Sequence, residues 1–270
     1  MPAEHPIALE TDALTRRFGT HTVVDRVSLR VARGEAFGLL GRNGAGKSTL
    51  IKMLTTLLPP SSGSARIEGL DISSQANRVR AVVGYVPQAL SADGELTGYE
   101  NLLVFARLYE LPRAVRDRRI AEALDFMGLA EAAHKLVATY SGGMIRRLEI
   151  AQSMLHRPRV LFLDEPTVGL DPVARETVWE HIRRLRERFE TTIFMTTHYM
   201  DEAQALCARF GILRAGRLVA CGGLDELRQG CNSPGATLEQ LFARYTGEGA
   251  EASDAYADTS GERQTSRRLG

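Results

Sequence analysis

Short apolar stretches in the first third of the chain predict strands separated by turns. Strands are expected at residues 7–18, 23–31, 35–40, 65–68 and 82–86, where apolar and β-branched residues dominate. A helix is expected from Leu50 to the proline pair at 59–60, and the Ser/Gly-rich residues 61–64 are expected to form a loop. A more polar helix is expected at 74–80.

The spacing of apolar residues becomes helical between residues 98 and 153. One face of the first helical stretch carries Tyr99, Leu102, Leu103, Ala106 and Tyr109. A second helix follows Pro112 and carries an arginine cluster at 113–119, which is typical of a solvated face; a lipid-headgroup or partner contact is the alternative. A third helix follows the turn at 140–143. The pattern predicts a helical insertion at residues 90–157.

Strand-like patterns return after this insertion. Continuous apolar runs at 160–163 and 191–196 are typical of strands that are buried on both faces. Two more strands are expected at 210–214 and 218–220, with helices at 174–188, 199–207, 224–229 and 237–245. Residues 246–270 have almost nothing to bury, which predicts a disordered tail. The chain is thus divided into an α/β core (7–89 and 158–222), the helical insertion, C-terminal helices (223–245) and the tail.

Composition narrows the class of protein. Hydrophobic residues make up 44% and charged residues 25% of the chain, as in a globular protein, and a net charge of +1 indicates no nucleic-acid partner. The three cysteines (Cys207, Cys221 and Cys231) show no metal-ligand spacing and indicate reduced thiols of a cytosolic protein. No apolar run reaches the roughly 18 residues of a membrane span, and the N-terminus lacks the pattern of a signal peptide.

The most informative stretch is Gly41-Arg42-Asn43-Gly44-Ala45-Gly46-Lys47-Ser48-Thr49, which matches the phosphate-binding loop pattern. It lies between a predicted strand and a predicted helix, which is the context that this motif requires. The glycines let backbone N–H groups turn toward phosphate oxygens, and the helix N-terminus adds partial positive charge. We therefore expect a nucleoside triphosphate site in which Lys47 contacts the β- and γ-phosphates and the Ser48 hydroxyl binds Mg²⁺.

Two adjacent carboxylates follow the buried strand at 160–163. Because ligands of open α/β sheets bind at the carboxyl ends of the strands, Asp164 and Glu165 are expected beside the phosphate loop. Asp164 would hold Mg²⁺, and Glu165 would align or deprotonate the water that attacks the γ-phosphate. The alternative is a buried strand that happens to meet acidic surface residues.

Further motifs carry a family resemblance. The stretch Tyr140-Ser141-Gly142-Gly143-Met144, followed by Ile145-Arg146-Arg147-Leu148, resembles the signature sequence of ATP-binding cassette (ABC) proteins. Gln88 matches the glutamine loop of that family, Gly169-Leu170-Asp171 the loop after the acidic strand, His198 the switch histidine, and Phe18 the aromatic that stacks on adenine. The motifs occur in the family's order, and the resemblance covers residues 7–245.

The resemblance implies an α/β fold: a P-loop NTPase core with a mostly parallel sheet flanked by helices, an N-terminal antiparallel β subdomain and an inserted helical subdomain. Two copies would meet head to tail around two ATP molecules. The implied catalytic residues are Glu165, His198 and Gln88, and the implied Mg²⁺ ligands are Ser48, Gln88 and Asp164. The implied nucleotide-binding residues are Phe18, Gly41, Asn43, Gly44, Ala45, Gly46, Lys47, Ser48, Thr49, Ser141, Gly142, Gly143 and Asp171.

Several of these residues also have an ordinary structural interpretation. Ser141 has the residue type of a plain helix cap, and a lone histidine such as His198 is more often structural. A glutamine in a loop, such as Gln88, is usually just exposed to solvent. An aromatic residue beside a strand end, such as Phe18, belongs to the hydrophobic core as often as it provides a surface on which a ligand stacks. The glycine pair beside Ser141 and the spacing that places His198 at the end of a strand favour the functional interpretation of these two residues, whereas Gln88 and Phe18 depend on the resemblance.

The signature also departs from the usual family pattern. Tyr140 and Met144 stand where many relatives have leucine and glutamine, Phe18 replaces a more usual tyrosine, and Arg42 replaces a frequent proline. None of these changes removes a phosphate-contacting group. With residues 167–172, 196–203 and 238–242, the variant signature resembles the ATPase subunits of bacterial multidrug and antibiotic exporters of the daunorubicin-resistance type.

The expected function is therefore that of an ATPase subunit that powers export through a separate membrane permease. The permease would dock near residues 88–110, which would place the chain peripherally on the cytoplasmic face of a bacterial cell membrane. The ATPase subunit of an importer is the alternative, because its ATP chemistry would be identical. A soluble ABC protein acting on ribosomes or DNA is less favoured, because this chain carries one cassette and no heptad stretch.

Overall fold

The structure is a computed structural model that describes residues 6–247. The strands are β1 (Ile7–Phe18), β2 (His21–Ala32), β3 (Ala36–Leu40), β4 (Ser62–Ile67), β5 (Leu70–Asp71), β6 (Val83–Val86), β7 (Val160–Asp164), β8 (Thr192–Thr197), β9 (Arg209–Arg214) and β10 (Arg217–Gly223). The helices are α1 (Lys47–Leu54), α2 (Ala76–Val82), α3 (Gly98–Leu108), α4 (Arg113–Phe126), α5 (Gly142–Met154), α6 (Pro172–Phe189), α7 (Met200–Leu206), α8 (Leu224–Gly230) and α9 (Leu238–Thr246). Within the described range, none of the helices is long and apolar enough to cross a membrane.

A six-stranded sheet forms the centre of the molecule, in the order β10-β9-β3-β8-β7-β6. Neighbouring strands are parallel except for β10, which pairs with β9 in the antiparallel direction at one edge. Every residue of β3, β7 and β8 is buried, because layers of structure cover both faces of this sheet. The carboxyl ends of β3 and β7 meet at one edge, where their loops carry the phosphate-binding and acidic motifs.

A second, antiparallel sheet with the order β2-β1-β4-β5 covers one face of the central sheet. The core between the two layers contains three aromatic rings, those of Phe37, Phe162 and Phe194. The Phe194 ring lies 5.4 Å from the Phe37 ring and 5.6 Å from the Phe162 ring, measured between centroids. Helix α1 contributes Leu50, Ile51, Met53 and Leu54 to the same core.

Helices pack against the opposite face of the central sheet. Because successive residues of a strand point to opposite faces, Leu161 and Leu163 enter this second core, while Phe162 enters the first. Helices α3, α4 and α5 form the group of helices between β6 and β7, and α6 and α7 pack beside them. Thr97 caps α3 with a capping box that includes Glu100, which fixes where this group begins.

The structure corrects four details of the predicted elements. Residues 62–64, predicted as a loop, belong to β4, where Ser64 pairs with Asp12 of β1; these residues are exposed, so small polar side chains are accepted there. Helix α1 ends at Leu54 rather than at Pro59, because Thr56 adopts a left-handed conformation with φ 63°. Val82 ends α2 instead of starting a strand, and the two-residue strand β5 was not predicted.

The last described helix extends into the segment predicted as a tail. Thr246 is the final residue of α9, and its hydroxyl donates to the Phe242 carbonyl at 2.7 Å. Gly247 then ends the helix in the left-handed conformation with φ 83°. The rest of the predicted tail, residues 248–270, lies outside the described residues.

Candidate active site

The phosphate-loop motif forms the connection between β3 and α1. Lys47 is the first residue of α1, so the backbone N–H groups at the start of this helix have no intrahelical partner and point into the loop. Gly46 precedes it with φ 105°, and a Cβ at this position would lie 2.7 Å from the Val23 carbonyl oxygen. Only glycine fits this backbone conformation and this contact.

The loop encloses an open cavity of about 250 Å³. Its lining includes Arg42, Asn43, Gly44, Ala45, Gly46, Lys47, Ser48, Thr49, Val23, Gln88 and Glu165. Residues from three separate parts of the sequence therefore surround the loop: β2, the segment after β6, and the end of β7. Gly41 is buried just before it, and its carbonyl accepts a hydrogen bond from Lys47 Nζ at 2.7 Å.

Three charged or titratable side chains form a chain of contacts that begins at this cavity, which Lys47 and Glu165 line. Lys47 Nζ lies 3.0 Å from Glu165 Oε1, and both side chains are almost fully buried. His198 Nδ1 lies 3.1 Å from the other oxygen, Glu165 Oε2. Because a buried charge needs a partner, the Lys47 ammonium compensates the carboxylate while the imidazole orients it. The carboxylate group is thus held at both oxygens beside the phosphate loop.

A second set of contacts joins Ser48 to Asp164. The Ser48 hydroxyl donates to Asp164 Oδ1 at 3.1 Å, and the Thr196 hydroxyl donates to the same oxygen at 2.6 Å. Within residues 6–247 no cluster of three or more His, Cys, Asp or Glu side chains could hold a metal. One hydroxyl and one carboxylate nevertheless fit Mg²⁺, which takes few protein ligands and completes its shell with water and substrate phosphates.

The backbone of Glu165 adopts an uncommon conformation. Its φ is 48°, in the left-handed region that non-glycine residues rarely occupy. Its N–H group donates to the backbone carbonyl and to the hydroxyl of Thr196, at 3.1 Å in each case. These two hydrogen bonds hold the turn that directs Glu165 toward Lys47, an arrangement that is common at functional sites.

A buried carboxylate lies behind this turn and was not singled out from the sequence. Glu202 of α7 accepts hydrogen bonds from the Thr167 hydroxyl at 2.6 Å and from the Trp179 indole nitrogen at 3.1 Å. Burial raises the pKa of Glu202, although its hydrogen bonds and the nearby Arg175 act in the opposite direction. Thr167 is two residues after Glu165, so its hydrogen bond to Glu202 stabilises the turn that carries Glu165.

The predicted signature residues lie apart from the cavity of their own chain. Ser141 caps α5, and its hydroxyl accepts a hydrogen bond from the Met144 N–H group at 3.3 Å. Asp171 caps α6 in the same way, accepting from the Ala174 N–H group at 3.0 Å. The two turns are neighbours: a Cβ on Gly142 would lie 3.3 Å from Leu170, and one on Gly143 would lie 2.9 Å from Ala174. Neither turn lines the cavity of the phosphate loop.

Two further predicted residues are exposed. Gln88 lines the cavity, and its own backbone carbonyl accepts a hydrogen bond from Arg146. Phe18 ends β1 with 47% of its surface exposed, and the Arg16 guanidinium lies 4.6 Å from its ring centre. An exposed aromatic ring at this position is available for stacking, although it does not line the cavity itself.

Sequence reasoning missed Thr196, Glu202, and the buried pair Arg146 and Glu149. Thr196 had a usable signal, because it ends an apolar strand two residues before His198, next to the acidic strand in the sheet. Arg146 lies within the signature stretch, but nothing in the local sequence shows that its side chain is fully buried. Glu202 stands in an ordinary helical pattern, and only the packing of α7 reveals its burial.

The chain is similar in sequence to known ATP-binding proteins. The sequence model of the ABC transporter family matches residues 24–168. The chain is 44% identical over 226 residues to the daunorubicin/doxorubicin resistance ATP-binding protein of Streptomyces peucetius, an alignment that covers 84% of this chain and 68% of that protein. It is 39% identical over 219 residues to the linearmycin resistance ATP-binding protein of Bacillus subtilis (strain 168), covering 81% and 70% of the two chains.

The fold is also found among solved structures. The structure of an ATP-binding subunit of an ABC transporter superposes with a TM-score of 0.80 at 32% sequence identity. That superposition covers 88% of this chain and 99% of the other. The similarity therefore extends over the central sheet, the antiparallel sheet and the helices together.

Proposed function

Since the chain belongs to the ABC transporter family, we propose that it powers export of a drug, an antibiotic or another small molecule through a separate membrane permease. ATP hydrolysis coupled to transport is the activity of this family. The direction of export is supported by two relatives whose names refer to resistance against daunorubicin/doxorubicin and linearmycin. The observation that carries the chemistry is the contact of Lys47, Glu165 and His198 beside the phosphate loop.

The residues of the loop bind the phosphates of ATP in this proposal. Backbone N–H groups at the start of α1 donate to phosphate oxygens, and the Lys47 ammonium contacts the β- and γ-phosphates. A phosphate at this position competes with Glu165 for the ammonium, which leaves the carboxylate able to accept a proton from water. Glu165 acts as the general base, and His198, already 3.1 Å from it, orients the carboxylate and donates toward the γ-phosphate.

The metal ligands in this proposal are Ser48, Asp164 and Gln88. Ser48 and Asp164 are already joined by a hydrogen bond of 3.1 Å, and Gln88 lines the same cavity. A Mg²⁺ ion bound there would neutralise negative charge on the phosphates. Thr196 holds the Asp164 carboxylate through its 2.6 Å hydrogen bond, so the oxygen that faces Ser48 is fixed in place. Phe18, exposed at the end of β1, would stack on the adenine base.

We also propose that two copies meet head to tail around two ATP molecules. Ser141, Gly142 and Gly143 lie at the N-terminus of α5, where backbone N–H groups and the helix dipole favour a phosphate. Because they do not line the cavity of their own chain, the γ-phosphate they contact is that of the opposite copy. Asp171, at the neighbouring N-terminus of α6, would lie at the same interface.

The permease would bind near residues 88–110, and residues 90–157 would act as the helical subdomain that moves with it. Three large apolar side chains in this region are exposed, with Leu90 at 50%, Val104 at 43% and Leu108 at 72%. Val104 and Leu108 are four residues apart on α3 and so lie on one face of this helix, where exposed apolar side chains favour contact with another protein. Docking there would hold the ATPase peripherally on the cytoplasmic face of the cell membrane.

The decisive experiment replaces Glu165 by Gln, which keeps the size of the side chain but removes the proton acceptor. We expect steady-state ATP hydrolysis to fall by about 100-fold or more, because general base catalysis is lost. ATP should still bind, and the chain should elute as an ATP-dependent dimer in size-exclusion chromatography with Mg²⁺. The matched control is Glu187→Gln, an exposed carboxylate on α6, which should hydrolyse ATP at the wild-type rate. If Glu165→Gln hydrolysed ATP at the wild-type rate, Glu165 would not be the general base.

A further inference from the structure

The signature helix α5 carries a charged pair that lies entirely inside the protein. The Arg146 guanidinium lies 3.0 Å from the Glu149 carboxylate, and the two side chains are only 1% and 2% exposed. Arg146 is among the largest fully buried side chains of the described residues. Burial lowers the pKa of Arg146, and the carboxylates of Glu149, Asp164 and Glu202 act in the opposite direction.

Both members of the pair bind the backbone of residues 87–92, the segment that carries Gln88 and that we call the glutamine loop. Arg146 Nη1 donates to the Pro87 carbonyl at 2.6 Å, and Nη2 donates to the Gln88 carbonyl at 2.7 Å. Glu149 Oε1 accepts hydrogen bonds from the N–H groups of Ser91 and Ala92 and from the Ser91 hydroxyl. The pair therefore holds the glutamine loop at its beginning and at its end.

The same helix carries the Ser141 turn at its N-terminus. Arg146 lies five residues beyond Ser141, or about 7 Å along the helix axis. One end of α5 thus presents the serine–glycine turn, while the next turns of the helix hold the loop whose Gln88 lines the phosphate cavity. Two groups predicted to contact different nucleotides are joined through one rigid element.

We infer that Arg146 and Glu149 are positioning residues that fasten the glutamine loop to α5, so that Gln88 and the Ser141 turn move as one body. This inference rests on the proposed function, because it assigns the two ends of α5 to the two nucleotides of a dimer. Occupation of the cavity in one copy then sets the position of the turn that this copy presents to its partner. The pair couples the two ATP sites without touching either nucleotide.

Stability alone does not account for such a pair. Replacing a buried ion pair by apolar residues of similar volume is often neutral or stabilising. The geometry is also specific, because the planar guanidinium binds the two successive carbonyls of Pro87 and Gln88 with two different nitrogens, a fork that a single ammonium group does not offer. Neighbouring Arg147 provides the contrast. It lies on the same helix and donates to the Met127 carbonyl at 2.7 Å, so it binds the helical group rather than the glutamine loop.

The test uses the full chain with Arg146→Met and Glu149→Leu combined, which removes the tether while retaining volume. Arg147→Met is the matched control, and Glu149→Gln is the conservative variant because its amide oxygen still accepts from Ser91 and Ala92. For each protein we would measure binding of a fluorescent ATP analogue, the rate and ATP dependence of hydrolysis, and hydrogen exchange at residues 87–92. Circular dichroism establishes that each variant is folded; if the double variant fails to fold, Arg146→Lys takes its place.

In the double variant we expect faster exchange at Ser91 and Ala92, nucleotide affinity close to wild type, and a maximal hydrolysis rate lowered by about tenfold or more, because Gln88 and the partner's nucleotide contact are misplaced. If the hydrolysis rate of the wild type depends sigmoidally on ATP concentration, the curve of the double variant should be closer to hyperbolic. Arg147→Met should leave exchange in the glutamine loop unchanged, and Glu149→Gln should recover part of the rate.

Wild-type hydrolysis despite faster exchange would overturn the inference, as would a loss of affinity as large as the loss of rate. A wild-type chain that neither hydrolyses ATP nor dimerises would instead refute the proposed function.

Discussion

Lys47 illustrates how one side chain connects the phosphate loop with the acidic strand. Its ammonium is bound by the Gly41 carbonyl at 2.7 Å and by Glu165 at 3.0 Å, both in a buried environment. A lysine in such a position is costly unless its charge is compensated. Glu165 supplies that compensation in the structure, and in the proposed function the phosphate oxygens of ATP would supply it as well.

Replacing Lys47 by Ala should therefore weaken ATP binding. Loss of a charge-assisted hydrogen bond costs about 1.5–3 kcal/mol, which corresponds to a roughly 10- to 100-fold lower affinity. Titration with a fluorescent ATP analogue measures the effect. Lys52→Ala is the control, because Lys52 is exposed on the same helix and should bind ATP as the wild type does. Equal affinities for Lys47→Ala and Lys52→Ala would contradict the assignment of the loop.

Tyr140 replaces the usual leucine of the signature, and the structure shows what the additional hydroxyl contacts. The Tyr140 hydroxyl donates to the Ala132 carbonyl at 2.7 Å, and burial raises the pKa of Tyr140. Tyr140→Phe should lower the free energy of unfolding by about 1 kcal/mol, because it removes one buried hydrogen bond, although the Ala132 carbonyl keeps the Lys135 N–H group as a donor. Urea denaturation would measure this. Tyr99→Phe, whose hydroxyl makes a longer 3.3 Å contact in an exposed position, should change stability less. A larger loss of stability in Tyr99→Phe than in Tyr140→Phe would show that the hydrogen bond to the Ala132 carbonyl does not stabilise the fold.

At the scale of the elements, α7 is joined to α6 and to the turn after β7 through Glu202. The carboxylate accepts from Trp179 of α6 and from Thr167, two residues beyond Glu165. The turn that carries Glu165, the helix after His198 and the long helix α6 are therefore held by one buried acid. Such a network depends on the protonation of that acid, because burial disfavours its charged form.

Glu202 should make stability depend on pH in a defined direction. Its pKa is raised in the folded protein from the ordinary 4.5, so its stabilising contribution is fully present below that value and is lost as pH rises through the raised pKa. Glu202→Gln keeps an oxygen that accepts hydrogen bonds but cannot ionise. Urea denaturation between pH 4 and pH 8 should show the variant gaining stability relative to the wild type as pH rises. A difference that stays constant across this range would mean that Glu202 does not titrate there.

At the scale of the whole molecule, the residues proposed to form the site lie in two regions that do not meet within one chain. The cavity of the phosphate loop lies at the carboxyl edge of the central sheet, whereas Ser141 is exposed at the start of α5. A head-to-tail dimer is the arrangement that would bring the two regions together. Ser141→Arg should therefore abolish the ATP-dependent dimer while nucleotide binding to the single chain stays unchanged.

This prediction is best measured in the Glu165→Gln background, where the dimer should persist long enough for chromatography. Ser73→Arg, which places the same charge at an exposed position before α2, is the control and should leave the dimer intact. A dimer that survives Ser141→Arg would place the interface elsewhere. Loss of nucleotide affinity in Ser141→Arg would instead indicate that the serine acts on the cavity of its own chain.

The sequence by itself determined the α/β fold, the order of the motifs and the chemistry of the phosphate loop. These depend on local features: apolar runs at β3, β7 and β8, the glycines before Lys47, and the carboxylates that end the acidic strand. Such local patterns can be recognised in the sequence because the backbone geometry and the burial of a strand on both faces determine directly which residues occur there. The element boundaries that failed, at Ser62–Ser64 and after Leu54, depend on strand pairing and on a single left-handed residue.

Only the tertiary structure decided which distant side chains meet. The contacts of Glu165 with Lys47 and His198, of Thr196 with Asp164, and of Arg146 and Glu149 with the glutamine loop join residues from separate elements. A charged residue in a helical pattern is compatible with either solvent or core, and the choice depends on what packs against that face. Arg146 and Glu202 are buried because other elements pack over them. Each keeps hydrogen-bond partners there, which are two backbone carbonyls for Arg146 and the side chains of Thr167 and Trp179 for Glu202.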